Sequence, residues 1–385
     1  MLSFLDIVGQ DGAIARLQRM VNAGRMAHGL LFAGPAGVGR RTTALALTQV
    51  LLCENPQTKP NAGRFRELDA DFPLRLACGR CPGCRMLAAD SHPDCHLIRK
   101  ELARYHDDRE VRDSVMQELS IHVIRSFLIE RAAFTPARRR GKVFVVLEVE
   151  LLSTEAQNAL LKTLEEPPAG VTIILICRRR DELLPTTLSR CVTVDFRGLP
   201  TDFIRFQLVA QGVAEEHARF WSAYADGSLG RAIRLAGQDL YPTKREIVDR
   251  LAALPAEGDA ELGEYLHKTA EGLAAAVADA NKADGAELSK NLACRQATGE
   301  LLELIASAYR DALTISTGAA RPLVHADQRE AVAALAGRFS AVELAEIIEQ
   351  FSEYEQAIWR NANPRLVWHN AVITAASALP LRLWT

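Results

Sequence analysis

The chain predicts an α/β domain on a parallel sheet with helices on both faces, then a small helical domain and a C-terminal all-α domain. Three observations carry that expectation. Strand and helix signals alternate through the first two hundred residues, a glycine loop joins one apolar strand to the next helix, and from Tyr241 nearly every segment reads as helix. Alternation of this kind implies parallel strands covered by crossover helices. The expected boundaries are 1–198, 199–240 and 241–385.

Taken in order, a helix is expected over 11–22, a strand over 29–32, and helices over 42–52 and 121–134. The strand 143–147, the helix 154–164 and the strand 171–177 complete the alternating set. Segments 55–76 and 101–118 break the rhythm, the first polar and aperiodic, the second rich in charge, and both read as surface insertions. Short helices follow from Pro200 to Leu235, with a turn at Gly227-Ser228-Leu229-Gly230. Further on, Leu301, Leu302, Leu304, Ile305 and Ala308, and then Leu344, Ile347, Ile348 and Phe351, recur at spacings of three and four. Each such helix has one apolar face to bury. Trp359, Trp368 and Trp384 read as core anchors in preference to a base-stacking platform.

A length of 385 residues suits two or three domains, and 48% hydrophobic with 24% charged residues is the balance of a soluble globular protein. No apolar run approaches the roughly 18 residues of a membrane span, and the first residues lack the charged and apolar regions of a secretion leader. A cytoplasmic protein without a membrane partner is expected. The net charge of −2 hides two basic clusters, Arg138-Arg139-Arg140 and Arg178-Arg179-Arg180. A solvated face is the plain reading of both; contact with phosphate is the alternative.

Gly34-Pro35-Ala36-Gly37-Val38-Gly39 has the glycines of a phosphate-binding loop, whose backbone N–H groups cradle phosphates. Arg40 and Arg41 follow where such a loop places Lys and a Mg²⁺-binding hydroxyl, and Thr42 lies one residue late. Arg is a wider, planar cation than Lys, and a second Arg cannot ligate metal. The second half of such a site is an apolar strand ending in acids that hold Mg²⁺. Here Leu147 stands at the first acidic position, leaving Glu148 and Glu150. Two metal-binding positions are thus replaced, and ATP hydrolysis is not expected, while weak binding by Gly34, Gly37, Gly39, Arg40, Arg41 and Thr42 is left open.

Cys78-x-x-Cys81-x-x-Cys84 gathers three thiols within one tight turn containing Pro82 and Gly83. Tetrahedral zinc needs four soft ligands. The fourth is Cys53, at the end of the helix after the glycine loop, or Cys95 in His92-Pro93-Asp94-Cys95-His96; the spacing does not choose. His92 and His96 are further possible ligands, although a lone loop histidine is more often exposed to solvent than bound to metal.

The run Ile7-Val8-Gly9-Gln10, the glycine loop, the cysteine cluster, the block from Thr154 to Pro168 and the run from Leu184 to Cys191 occur in one order. Together they resemble the bacterial clamp-loader AAA+ subunits of DNA polymerase III. The resemblance implies an AAA+ P-loop domain with a zinc module at 53–95, a helical lid and a helical collar used for oligomerisation. It implies zinc ligands at Cys53, Cys78, Cys81 and Cys84, favouring Cys53 over Cys95. It places a polar sensor position on Cys177 and a sensor arginine on Gly230, with Arg231 one position off, and both departures accord with lost hydrolysis.

Ser189-Arg190-Cys191 keeps the family triplet, which implies that Arg190 is an arginine finger reaching a neighbouring subunit's ATP. A guanidinium there stabilises charge developing at the γ-phosphate, an effect of about 10³–10⁵ in rate. The plain reading of Arg190 is a structural arginine paired with an acid. The implied role is a stator, not itself an enzyme. Its implied partners are gamma/tau ATPase subunits, a delta subunit, the sliding clamp and primer–template DNA. Two alternatives stand beside it: an active gamma/tau-type ATPase using Arg40 and Glu148, and a stand-alone zinc-containing DNA-binding module.

Overall fold

The computed structural model describes residues 2–113, 118–256, 258–283 and 290–377. The chain divides into two compact units, one holding 1–200 with 227–230 and the other 201–226 with 231–385.

In the first unit the strands are β1 (Gly29–Ala33), β2 (Gln57–Pro60), β3 (Pro73–Leu76), β4 (Cys95–Ile98), β5 (Lys142–Val146), β6 (Val171–Cys177) and β7 (Val192–Asp195). Five of them form one parallel sheet in the order β4-β5-β6-β1-β7. The central strands are buried on both faces, which is why they read as unbroken apolar runs. Side chains alternate between the faces of a strand. Leu30, Phe32, Val143, Val145, Ile174 and Ile176 therefore pack with helices α1 (Asp11–Asn22) and α2 (Arg40–Leu52). Leu31, Ala33, Phe144, Val146, Ile173 and Leu175 pack on the opposite side, with α4 (residues 121–133) and α5 (Thr154–Glu165). The middle of α4, Arg125–Ile129, is π-wound. Helix α3 (Pro82–Ala88) begins inside the cysteine cluster.

Strands β4 and β7 are four-residue edge strands, too short for an alternating pattern to register. Segment 55–76 corrects the expectation of a surface insertion. It contains the antiparallel β2–β3 hairpin, and Phe65, Leu68, Leu74 and Leu76 enter the core beside α1 and α2. Buried Asn61 makes this possible: its amide donates to the carbonyls of Phe65, Leu68 and Asp69, and its oxygen accepts the Phe65 N–H. A side chain thus satisfies the backbone that irregular chain leaves unpaired. In the second insertion Ala103 and Val111 are buried in the opposite core, which again departs from a purely surface segment, and 114–117 lie outside the described residues.

The second unit is helical. Thr201–Ala210, Glu215–Tyr224, Tyr241–Ala252, Ala260–Ala283, Lys290–Thr317, Arg329–Arg338, Ala341–Trp359 and Pro364–Ser377 supply its helices, joined by most of Leu229–Gly237. Leu301, Leu302, Leu304, Ile305, Ala308, Leu344, Ile347 and Phe351 are buried, as their spacing requires. Two ionic clusters tie these elements together. Arg231 pairs with Glu300 and Glu303 and lies 4.5 Å over the Tyr224 ring, and Arg234 shares Glu300. Fully buried Lys244 pairs with Asp327 and stands 4.0 Å over the Phe220 ring. Trp368 is a core anchor; Trp359 is not, being 46% exposed at the end of its helix. Trp384 lies outside the described residues.

Candidate functional site

Strand order puts β1 between β6 and β7, with Ala33 in register with Cys177 and Asp195, so the loop after β1 opens beside the carboxyl ends of both neighbours. In open α/β sheets that edge is where ligands bind. Gly34 has φ +149°, and a Cβ there would stand 2.2 Å from the Phe196 carbonyl oxygen, so only glycine fits. Gly37 and Gly39 also have positive φ, and Gly39 caps the start of α2, two residues earlier than expected.

Arg40 turns inward. Its guanidinium donates to the Cys177 carbonyl oxygen, which also accepts the Gly34 N–H at 3.3 Å. The side chain is 8% exposed; burial lowers its pKa, and Glu150 opposes that shift. Arg41 is exposed and Thr42 half-buried, while the Thr43 hydroxyl donates to the Gly39 carbonyl at 2.9 Å. The cation that follows the loop is therefore committed to the chain's own backbone.

The acidic side of the site is similarly occupied. Leu147 follows β5 and donates its N–H to Ile98. Glu148, in the left-handed region at φ 51°, pairs with Lys100 and with Arg178, each at 3.6 Å. Glu150 pairs with Arg178 at 3.7 Å, and its Oε2 is buried with no partner among the described residues. Burial pushes the Cys177 thiol up to about 11, leaving it neutral. At Gly230, where the resemblance implied a sensor arginine, the backbone N–H donates to the Gly37 carbonyl at 3.1 Å. A Cβ on residue 230 would meet Gly37 Cα at 3.2 Å, so this close approach leaves little room for a sensor side chain.

The triplet Ser189-Arg190-Cys191 follows the short helix Pro185–Leu188. Gln157, buried on α5, accepts the Leu184 N–H at 2.9 Å and the Thr187 hydroxyl at 3.4 Å, tying the two family blocks together. Gly29 lets the triplet approach β1: a Cβ there would meet the Arg190 carbonyl at 3.0 Å and Cys191 Sγ at 3.3 Å. Cys191 packs inward, and burial raises its thiol to about 12. Ser189 donates to the Thr186 carbonyl. Arg190 donates to the same carbonyl at 2.8 Å and pairs with Glu165, the acidic neighbour that the plain reading of this arginine requires. The sequence reading named no partner for it; Glu165 lies 25 residues away and was visible only as part of the motif block.

Cys53, Cys78, Cys81 and Cys84 come together with their sulfurs all within 4.8 Å of one another. Cys53 to Cys81 is 3.9 Å and Cys78 to Cys84 is 4.0 Å. Zn–S bonds of about 2.3 Å in a tetrahedron place sulfurs about 3.8 Å apart. Backbone N–H groups of Cys78, Cys81 and Cys84 point at the preceding sulfurs at 3.3–3.4 Å, which favours thiolates. The N–H of Arg80 and others pull Cys78 down to about 6, while burial raises Cys53 and Cys84. The donor set therefore fits a zinc ion. Cys95 instead lies in β4, in register with Val143 of β5, its thiol raised to about 11 by burial. His92 and His96 are not solvent residues: His92 is 5% exposed, and His96 stacks on Phe144 at 4.7 Å with burial lowering it to about 4.

The basic clusters are largely paired. Arg178 is held by Glu148 and Glu150, Arg179 by Asp181 and Glu182, Arg180 by Asp195, and Arg138 by Glu54. No helix among the described residues is long and apolar enough to cross a membrane.

A parallel sheet with a glycine loop at its carboxyl edge and a helical region beyond it defines a P-loop-type AAA+ scaffold. Residues 9–200 match the family described as DNA polymerase III, delta subunit, and residues 270–374 match its C-terminal family. The chain belongs to the clamp-loader subunits of DNA polymerase III. It is 31% identical over 320 residues to the DNA polymerase III subunit tau of Salmonella typhimurium, a match covering 81% of this chain and 44% of the relative. It is 32% identical over 232 residues to the subunit delta' of Pseudomonas aeruginosa, covering 59% of this chain and 61% of the relative. A solved gamma-subunit-related protein of Thermotoga maritima is a distant likeness, at 16% identity and TM-score 0.41 over 94% of this chain and 98% of that one.

Proposed function

We propose that this chain is a non-hydrolysing, delta-prime-type subunit of the clamp loader, a stator that lends Arg190 to a neighbouring ATPase subunit. The observation that carries the reading is Arg40 turned away from the phosphate cradle onto the Cys177 carbonyl. Leu147 at the first acidic position, Glu148 spent on two cations, and Gly230 packed against Gly37 support it. Hydrolysis needs a cation on the β/γ-phosphates, a metal ligand and water positioning. The same features weigh against the gamma/tau-type reading with Arg40 and Glu148 as the working pair.

In this reading the partners are gamma/tau and delta subunits in the cytoplasm, and the complex places the sliding clamp on primer–template DNA. Residues 1–198 act as the AAA+ domain, 199–240 as the lid and 241–385 as the collar. Zinc on Cys53, Cys78, Cys81 and Cys84 is structural: those four residues would hold it, and the folding free energy of the loop would come from it. The pairing of Arg138 and Arg178–Arg180 with acids disfavours a DNA-binding module acting alone.

The test is reconstitution with the ATPase subunits. The purified chain alone is expected to show no Mg·ATP turnover, and Arg190→Ala is expected to assemble normally while slowing DNA-stimulated ATPase at the neighbouring subunit's site by about 10³-fold or more, the range typical of arginine fingers. Turnover by the isolated chain that disappears on substitution of Gly39, or an unchanged rate with Arg190→Ala, would overturn the proposal.

A further inference from the structure

Arg190 is not extended. Its Nε and Nη2 engage one oxygen of Glu165, and its Nη1 donates to the Thr186 carbonyl at 2.8 Å and lies 3.3 Å from the Ser189 hydroxyl. Every nitrogen of the fork thus has a partner on its own subunit. Glu165 is the last residue of α5, and Glu166 caps that end. Two acids at the negative end of a helix dipole are unfavourably placed unless a cation answers them. Lys162 in the last turn is one such cation, and Arg190, in direct contact with Glu165, is the second, reaching back from the segment that Gln157 pins to the same helix.

We infer that Glu165 is a positioning residue for the finger, a latch that holds Arg190 folded against its own subunit until a triphosphate displaces the carboxylate. The inference rests on the finger reading proposed above. A triphosphate offers the guanidinium paired anionic oxygens, as a carboxylate does, but with more charge, so exchange of one for the other is natural chemistry for Arg. The latch must also be weak enough to open. The two side chains are 31% and 45% exposed, and such pairs are only modestly favourable in water. A finger reserved this way acts only when the neighbouring subunit brings its ATP into register, which suppresses turnover by a loosely assembled ring.

The experiment compares Glu165→Gln, Glu165→Asp and Arg190→Ala in the reconstituted complex, reading ATPase with and without primed DNA. Glu165→Gln keeps shape and removes charge. It is expected to raise the DNA-independent rate about two- to fivefold, the range available to an exposed ion pair, and to narrow the stimulation by DNA. Glu165→Asp, which keeps the charge, is expected to stay closer to the parent. In the full-length isolated chain, the Arg190 Nε–H resonance is expected to be slowed in exchange with water, and Glu165→Gln should release it. If Arg190→Ala slows the ATPase while Glu165→Gln leaves the DNA-independent rate unchanged or lowers it, the latch is wrong and the finger stands. If Arg190→Ala has no effect, the finger reading fails and the latch with it.

Discussion

Arg40 and Cys177 meet at one carbonyl oxygen, where a guanidinium from the start of α2 and the N–H of Gly34 converge on the end of β6. The relationship joins the residue that follows the glycine loop to the last residue of β6. Together they build an internal contact that closes the space between loop and strand, with Glu150 contributing favourable charge.

That contact has a stability consequence. Arg40→Met would remove the buried cation and leave Glu150, already unpartnered at Oε2, with Arg178 alone. Losing a buried hydrogen-bonded charge costs about 1–3 kcal/mol. Chemical denaturation followed at the first unit should show a midpoint lowered accordingly, and an unchanged midpoint would mean the contact contributes nothing.

Gly34→Ala should be far worse than an ordinary glycine replacement. The new Cβ would stand 2.2 Å from a backbone oxygen at φ +149°, and neither chain can step aside without breaking the β1–β7 register. A cost on the order of 3 kcal/mol or more is expected, read as poor soluble yield or a strongly lowered melting temperature. Gly24→Ala, with open space around it, is the control for left-handed strain by itself.

Cys81→Ser should release one zinc equivalent, measured by metal analysis of the purified chain, and increase proteolytic cleavage near 53–84. The sheet should survive, since strands β1, β5 and β6 draw their stability from the two apolar cores. Full metal retention would refute the ligand assignment.

Acid should destabilise the second unit through His325. It is fully buried, bonded through Nε2 to the Ser307 hydroxyl at 2.7 Å, and desolvation lowers it to about 3. Between that value and the usual 6.5 the unfolded chain binds a proton that the folded chain refuses. Stability therefore falls as pH drops from about 6.5 toward 3, at up to about 1.4 kcal/mol per pH unit for this one group. His325→Leu should flatten that dependence in acid titrations of unfolding; an equally steep profile would assign it to other groups.

Much of the first unit was legible because its signals are local. Residues 143–147 and 173–177 are apolar throughout since both faces of the sheet are covered, and Gly34 to Gly39 announce a turn that other residues cannot make. The edge strands β4 and β7 were missed because four residues hold too few side chains for a pattern. The Asn61 hairpin was missed for a different reason. A buried polar side chain that satisfies irregular backbone has the same composition as an exposed loop, and only its partners distinguish the two.

The amino-acid order alone determined the succession of elements, Arg40 and Arg41 after the glycine loop, Leu147 after β5, and the three clustered thiols, because these depend on neighbours along the chain. Folding decided which cysteine completes the four, since Cys53 reaches the others only after α2 and the hairpin are in place. It decided as well that Arg40 points inward, toward an oxygen 137 residues away, and that Arg190 rests on Glu165. Charge and hydrogen bonding act through space, and the partner a side chain finds is set by which strands and helices are packed beside it.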